Sequence, residues 1–400
     1  MATRFSPKLI RKLPCFSRSL NSSPSSLSAA TISPITLSHK AEEDVLAVVN
    51  HTGISSSSIL NLDDVERLFS SVSTVQLLRS SMNLHMAASD PILDLGISVV
   101  KSKLLETVVF REIILKVVKH SFYEHFCAGE NVKEASMTLQ RLWDDGLRGI
   151  LDYGLEDAVD NNSCDRNLQE FLNTVEATKL LPPSSVSFAC VKITAICPIK
   201  LLERPFLSHS KKPDPLTREE EEDLQSAQQR LVNLCQRCLE TNLPLLIDAE
   251  YTSVQPAIDY FTYSAAIEFN KDENPIVFGT IQAYLKDSKE RIVKAMEAAE
   301  KMGISMGFKL VRGAYLASER QLASSLGFTS PVHERIQETH ACYNDCTSFM
   351  LEKVARGSGA VVVATHNVES GRRQTLGIVK YNKKGLDLYR NRCRLIPIPI

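Results

Sequence analysis

The sequence predicts an α/β fold: a parallel (β/α) barrel of about six β/α units, incomplete, with an all-helical arm before it. Three observations carry this. Five apolar runs end in polar residues suited to a charged ligand: 186–194 (VSFACVKIT), 245–250 (LLIDAE), 276–284 (IVFGTIQAY), 307–315 (GFKLVRGAY) and 361–367 (VVVATHN). Helical stretches separate most of these runs, as parallel strands need for their crossovers. The runs starting at residues 245, 276 and 307 recur at about 30 residues, the length of a βαβ unit. Each run reads as a buried strand whose last residues emerge at one rim, where barrels place their chemistry.

The first forty residues stand apart. They hold Arg4, Lys8, Arg11, Lys12, Arg18 and Lys40, ten serines and no acid, and Glu42 is the first carboxylate. Basic and polar residues keep interrupting the apolar run that a secretory signal needs, so residues 1–40 read as an organelle transit peptide, mitochondrial ahead of chloroplast, with a disordered tail without an address as the bland alternative. Residues 41–130 read as the helical arm, with Asn61, Asp63 and Asp64 placed to cap a helix over 65–78 and helical spacing over 92–118. Residues 131–371 read as the barrel. A helix over 132–145 leads into a first strand over 146–151. Residues 157–165 read as a polar loop, and a helix over 168–180 stops at Pro182-Pro183.

After the second strand, residues 206–217 read as a surface loop. The acidic run 219–223 behind Thr217 suits the positive end of a helix over 219–240. Later helices are expected over 254–269, 288–302 and 331–356. The runs at 307 and 361 lie 54 residues apart, so a long loop follows strand five. Beyond Asn367 the β/α pattern fails: residues 369–400 carry eight Arg or Lys against two acids, and the end is broken by Pro397 and Pro399. Residues 372–400 therefore read as a divergent tail.

Composition narrows the function classes. A net charge of −1 argues against electrostatic capture of nucleic acid. No run of 18 uncharged apolar residues exists, so a membrane-spanning helix is not expected. Ten spread cysteines make no disulfide framework. Cys235 and Cys238, and His340, Cys342 and Cys346, lie in helical patterns without metal-ligand spacing, so no metal is expected. No GxGxxG or P-loop occurs, which argues against dinucleotide binding in the Rossmann manner.

The strand ends supply the candidate site. Lys192 and Asp248 end adjacent strands in apolar surroundings, where each keeps the other charged if they pair. The bland alternative is a structural pair filling the barrel mouth. Gln282 offers an amide that both donates and accepts, as a heterocycle with alternating C=O and N–H groups needs. Lys309 and Arg312 point to opposite faces of a continuous strand. Both reach one ligand only if the strand ends at Val311 and turns at Gly313. Thr365, His366 and Asn367 add a hydroxyl, an imidazole and an amide. With no GxSxG present, His366 reads as a hydrogen-bonding group rather than a base.

Six stretches, FACVKIT, LLIDAEYT, GTIQAYLKD, GFKLVRGAYLASER, THACYND and VVVATHNVESG, occur in order. Through them residues 146–371 resemble proline dehydrogenase (proline oxidase) in its plant mitochondrial form. The resemblance implies a (βα)8 barrel that binds FAD and oxidises L-proline to Δ1-pyrroline-5-carboxylate by hydride transfer. It also implies a quinone acceptor at the matrix face of the inner mitochondrial membrane, with peripheral association. By resemblance, Lys192 lies near the substrate carboxylate with Asp248 as its partner, and Gln282 bonds the flavin. Lys309, Val311, Arg312, Gly313, Ala314 and Tyr315 match the strand-five cofactor segment, and Thr365, His366 and Asn367 its strand-six contacts. At Lys309 bacterial relatives carry arginine; lysine keeps the charge and loses the bidentate fork. The family's strands seven and eight and its arginine-bearing last helix have no match here. The 400-residue chain is therefore expected to be inactive or nearly so. The alternatives are a truncated product without catalysis and a flavoenzyme acting on a related cyclic amino acid such as hydroxyproline.

Overall fold

The computed structural model describes residues 65–70, 72–204, 215–271, 274–382 and 393–397. The predicted transit peptide, the Asn61–Asp64 cap and most of the 206–217 loop lie outside them. The chain divides into two compact units, Met1–Cys127 and Ala128–Ile400.

The first unit is helical: α1 (Val65–Leu68), α2 (Thr74–Ala88), α3 (Asp90–Lys101) and α4 (Val108–Val118). The single helix expected over 65–78 is two, because Ser73 opens α2 with a capping box closed by Gln76. The continuous pattern over 92–118 is likewise broken, by a 3-10 turn at Lys103–Glu106. Arg79 ties α2 to Glu124 and to the His120 carbonyl, and buried Asn83 donates to the Ser121 carbonyl at 3.2 Å. Val109, Ile113 and Val117, one face of α4 at helical spacing, are exposed.

The second unit carries the sheet. Its strands are β1 (Gly149–Asp152), β2 (Val186–Val191), β3 (Leu245–Ile247), β4 (Val277–Gln282), β5 (Gly307–Val311), β6 (Ala360–Thr365) and β7 (Cys393–Pro397). They are all parallel and pair in sequence order. Between them run α5 (Val132–Asp144, ahead of β1), α6 (Asn161–Ala177), α7 (Arg218–Glu240), α8 (Gln255–Phe269), α9 (Ser288–Met302), α10 (Leu316–Leu326), α11 (Ile336–Ala355) and α12 (Val368–Asn382). The strands are near-continuous apolar runs because helices cover one face and the sheet curls over the other. Outward residues such as Ala189, Leu245, Ile281 and Leu310 pack under the helices. Phe188, Cys190, Leu246, Phe278, Ala360 and Val362 fill the concave side, with Ile150 against them, so β1 to β4 and β6 share one interior cluster. The rings of Phe188 and Phe278 meet edge-on at 5.0 Å.

Local chemistry explains the helix limits. Thr217 opens α7 with a capping box closed by Glu220. Gly303, in the left-handed region at φ 68°, closes α9. Cys235 and Cys238 are buried on the inner face of α7, and burial pushes both thiols up.

Several expectations are corrected. Asp160 caps α6 through the Ser163 N–H, so the helix begins inside the segment read as a polar loop. α10 stands in the loop after strand five, and α11 begins at Ile336 rather than 331. The pattern does not stop at Asn367: α12 follows, and β7 pairs with β6 from Val361↔Cys393 to Thr365↔Pro397. Charge and proline content hid this strand, because a backbone ladder needs only N–H and C=O groups and tolerates proline at a strand end.

Candidate active site

Parallel strands bring all their carboxyl ends to one rim, and there a cleft of about 710 Å³ opens. Lys192 directly follows β2 and Asp248 directly follows β3. Gln282 ends β4, and β5 supplies Lys309 and Val311. Arg312, Gly313, Ala314 and Tyr315 come next, and β6 ends in Thr365 followed by His366 and Asn367. All twelve line this one cleft. The strand-five condition is met: the strand ends at Val311 and the chain turns at Gly313, whose φ is 133°, so Lys309 and Arg312 both reach the cleft.

The expected ion pair is corrected. Lys309 Nζ, not Lys192, hydrogen-bonds Asp248 Oδ1. Register explains it. Leu246 lies beside Phe278 and Thr280 beside Lys309, so Asp248, Thr280 and Lys309 form an inward row across β3, β4 and β5. In the concave sheet the long lysine passes small Thr280 to reach the carboxylate. Lys192 begins the short helix Ile193–Ile196, and its amine lies 3.2 Å from Glu156 Oε2 in the loop after β1.

The electrostatics follow. Burial works against the charge on Lys309, and Cys190, Asp248 and Asp152 outweigh it, so its pKa stands above the ordinary lysine value. Burial opposes Lys192 in the same way, and Glu156 and Asp152 raise it. Asp152, exposed at the end of β1, is held above the usual carboxylate range by desolvation inside the curled sheet and by the nearby Asp248. Oxygen and sulfur atoms of Asp152, Cys190 and Asp248 lie within 4.8 Å of one another. The Lys309 ammonium already answers the negative charge that a metal ion there would neutralise.

Arg312 is held by neutral partners. It donates to His340 Nδ1 at 2.9 Å, Thr365 Oγ1 at 2.5 Å and Ser370 Oγ at 2.8 Å, and its guanidinium lies 4.3 Å from the centre of the Tyr343 ring. Burial, then Arg312 itself, holds the His340 pKa down, which keeps that imidazole an acceptor. Among the described residues no carboxylate pairs with Arg312, so its charge is free to meet an anion. Asn367 Oδ1 accepts from the Ser370 N–H at 2.8 Å, which fixes the turn after β6.

Gln282 is buried and already committed at both ends. Its amide donates to the Glu250 carbonyl at 2.8 Å and accepts from the Ala314 N–H at 3.2 Å. It thus joins the ends of β3, β4 and β5, with one N–H left over. Glu250 is 1% exposed; burial pushes its pKa up to about 7 against the bonds from Thr194.

Sequence reasoning missed Asp152, Glu156, Thr280 and His340. Asp152 ends β1, so the strand-end rule applied to Lys192 would have found it. Thr280 was legible as an inward position two before Gln282. Glu156 sits in a loop and His340 on α11, and neither carries a sequence signal for this cleft.

Comparison with known proteins bears on the same segment. The profile of the family described as Proline dehydrogenase matches residues 135–385, reaching into the tail read as divergent. Two Arabidopsis thaliana proteins are similar over 363 residues: "Proline dehydrogenase 2, mitochondrial" at 48% identity and "Proline dehydrogenase 1, mitochondrial" at 49%. Each alignment covers 81% of this chain, and 76% and 73% of the respective relatives. The solved structure of proline utilization A (PutA) from Bdellovibrio bacteriovorus superposes with a TM-score of 0.55 at 20% identity. That likeness covers 68% of this chain and 28% of the longer PutA chain, and it shows the fold alone.

Proposed function

The chain belongs to the proline dehydrogenase family, and on that premise we propose that the cleft oxidises L-proline to Δ1-pyrroline-5-carboxylate with FAD as cofactor. One observation carries the reading: twelve residues from five separate strand ends, spread between positions 192 and 367, converge on one cleft. The cleft also suits a large cofactor in size, since ligand pockets run from about 300 to 1,000 Å³.

The chain's own residues fit FAD. Gly313 lies where main chain passes closely, since a Cβ there would stand 2.2 Å from the Tyr284 ring. Arg312, with no carboxylate partner among the described residues, provides positive charge for the anionic part of the cofactor. Thr365, His366 and Asn367 would complete that side, and Gln282 would offer its remaining N–H. FAD, when bound, supplies the two-electron acceptor for the hydride that leaves the carbon next to the substrate's ring nitrogen.

Lys192 and Lys309 place two ammonium groups in the cleft, suited to the substrate carboxylate and to any negative charge gained by the cofactor. Asp248 holds the Lys309 ammonium in place and charged. Glu156 does the same for Lys192. The protein thus supplies position and charge, while the redox chemistry belongs to the cofactor.

The two Arabidopsis relatives are named as mitochondrial, and the basic, acid-free start of this chain agrees with import into that organelle. Electrons would pass to a quinone at the inner membrane by peripheral contact. Among the described residues no helix is long and apolar enough to cross a membrane. The test is direct. The function proposed requires the purified chain to carry flavin absorbance and to reduce a quinone analogue when L-proline is added, with 4-hydroxyproline the poorer substrate. The truncated-product alternative, on which the expectation of an inactive chain rests, requires neither. Absence of both flavin and proline turnover would overturn the reading.

A further inference from the structure

Glu319 lies on α10, outside the cleft lining, and is 2% exposed. Its carboxylate is spent on one residue: Oε1 accepts the Thr252 main-chain N–H at 2.7 Å, and Oε2 accepts the Thr252 hydroxyl at 2.5 Å. Among the described residues it forms no ion pair. A carboxylate buried without a cation is costly. Such a group persists where what it holds matters.

What it holds is a pair of tyrosines. Thr252 directly follows Tyr251 in the loop after β3, and the Glu319 N–H donates to the Tyr315 carbonyl at 2.9 Å. The rings of Tyr251 and Tyr315 lie 4.1 Å apart at 45°. The carboxylate therefore fixes Tyr251, through its neighbour, to α10, whose first turn begins at Tyr315 and is closed by the ordinary helical bond from the Glu319 N–H. The two tyrosines follow β3 and β5, which are separated by β4, so no strand ladder sets their spacing. Tyr315 lines the cleft. A second clamp of the same design stands nearby: buried Glu250 takes the Thr194 N–H at 3.2 Å and its hydroxyl at 2.5 Å, tying the β2 loop to the end of β3.

We infer that Glu319 is a positioning residue: by clamping Thr252 it packs Tyr251 against Tyr315 and so sets the Tyr315 wall of the cleft. Its effect on turnover rests on the function proposed above; the clamp itself does not.

Hydrogen exchange on the full chain without substrate tests the clamp. In Glu319→Ala the Thr252 amide is expected to exchange at least about 10-fold faster, because its bond is lost. Glu319→Gln should restore protection, since the amide oxygen still accepts that N–H and the hydroxyl can turn to accept from the amide. Strand β6 should not change in either variant. Thr252→Val, which keeps the N–H bond and drops the hydroxyl, covers the case in which the alanine variant does not fold; it should give a smaller acceleration. Unchanged exchange at Thr252 in the alanine and valine variants would overturn the clamp.

Kinetics test the positioning role. Glu319→Ala should lower kcat/KM for proline by about 10- to 100-fold at unchanged flavin content, and Glu319→Gln should recover most of it. In a Tyr315→Ala background the Glu319→Ala effect should shrink to about 2-fold, because the wall it sets is gone. Full additivity of the two changes would mean that Glu319 acts on stability alone. A wild-type chain without proline turnover would instead count against the proposed function, and the exchange result would still decide the clamp.

Discussion

Two ion pairs divide the charge at the rim of the curled sheet. Asp248 is answered by Lys309, with side chains 18% and 13% exposed, while Lys192 is answered by the outer and half-exposed Glu156. The two lysines should therefore behave differently when removed. Lys309→Ala leaves Asp248 uncompensated and should cost about 2–4 kcal/mol of stability. Lys192→Ala leaves a carboxylate that water can reach and should cost less than about 1 kcal/mol. Urea melts of the two variants check the order; a larger loss for Lys192→Ala would contradict the pairing. Glu250 is the residue for pH. Its folded pKa, about 7, is raised from 4.5 by burial. Between those values the folded chain keeps a proton that the unfolded chain has lost, so the stability from this group is full below about 4.5 and falls as pH rises through 7. The full span is on the order of 3 kcal/mol. Glu250→Gln should flatten the pH dependence of Tm across this window, and an unchanged slope would assign it to other groups.

At the scale of elements, function depends on where strands stop. The runs 186–194 and 307–315 look like single strands by hydropathy, yet β2 stops at Val191 and β5 at Val311. The stop at Val311 releases Arg312, in phase with outward Leu310, from strict alternation and lets it reach the cleft, whereas Lys192 keeps the inward phase of Phe188 and Cys190. Gly313 makes the second stop possible, at a φ of 133° and with the Tyr284 ring against its Cα. Gly313→Ala would meet both the strained backbone and the ring, so it should lower flavin occupancy at least about 10-fold while the fold survives. Flavin content and circular dichroism of the purified variant check this. α10 shows the opposite case: the spacing of the runs predicts only a loop there, yet the segment is a helix that carries Glu319 and tethers the rim.

At the scale of the molecule, residues 1–40 lie outside the described structure, and their basic, serine-rich, acid-free composition is the ground for an import signal. A reporter carrying those residues should enter mitochondria, and a cytosolic or chloroplast reporter would overturn that assignment. Hydropathy and spacing by themselves determined the α/β class, the parallel order of β1 to β6 and the residues at the carboxyl ends of β2 to β6. These were legible because a strand buried on both faces must be apolar and can turn polar only where it leaves the core. The tertiary structure decided which charges meet. Lys309 rather than Lys192 takes Asp248, Arg312 rests on His340 from a distant helix, and Glu319 reaches Thr252 across β4. Such pairings depend on register, on the curl of the sheet and on side-chain reach, none of which leaves a periodic trace in sequence. The backbone ladder that adds β7 to the sheet was hidden for the same reason, since every residue offers a carbonyl and all but proline an N–H.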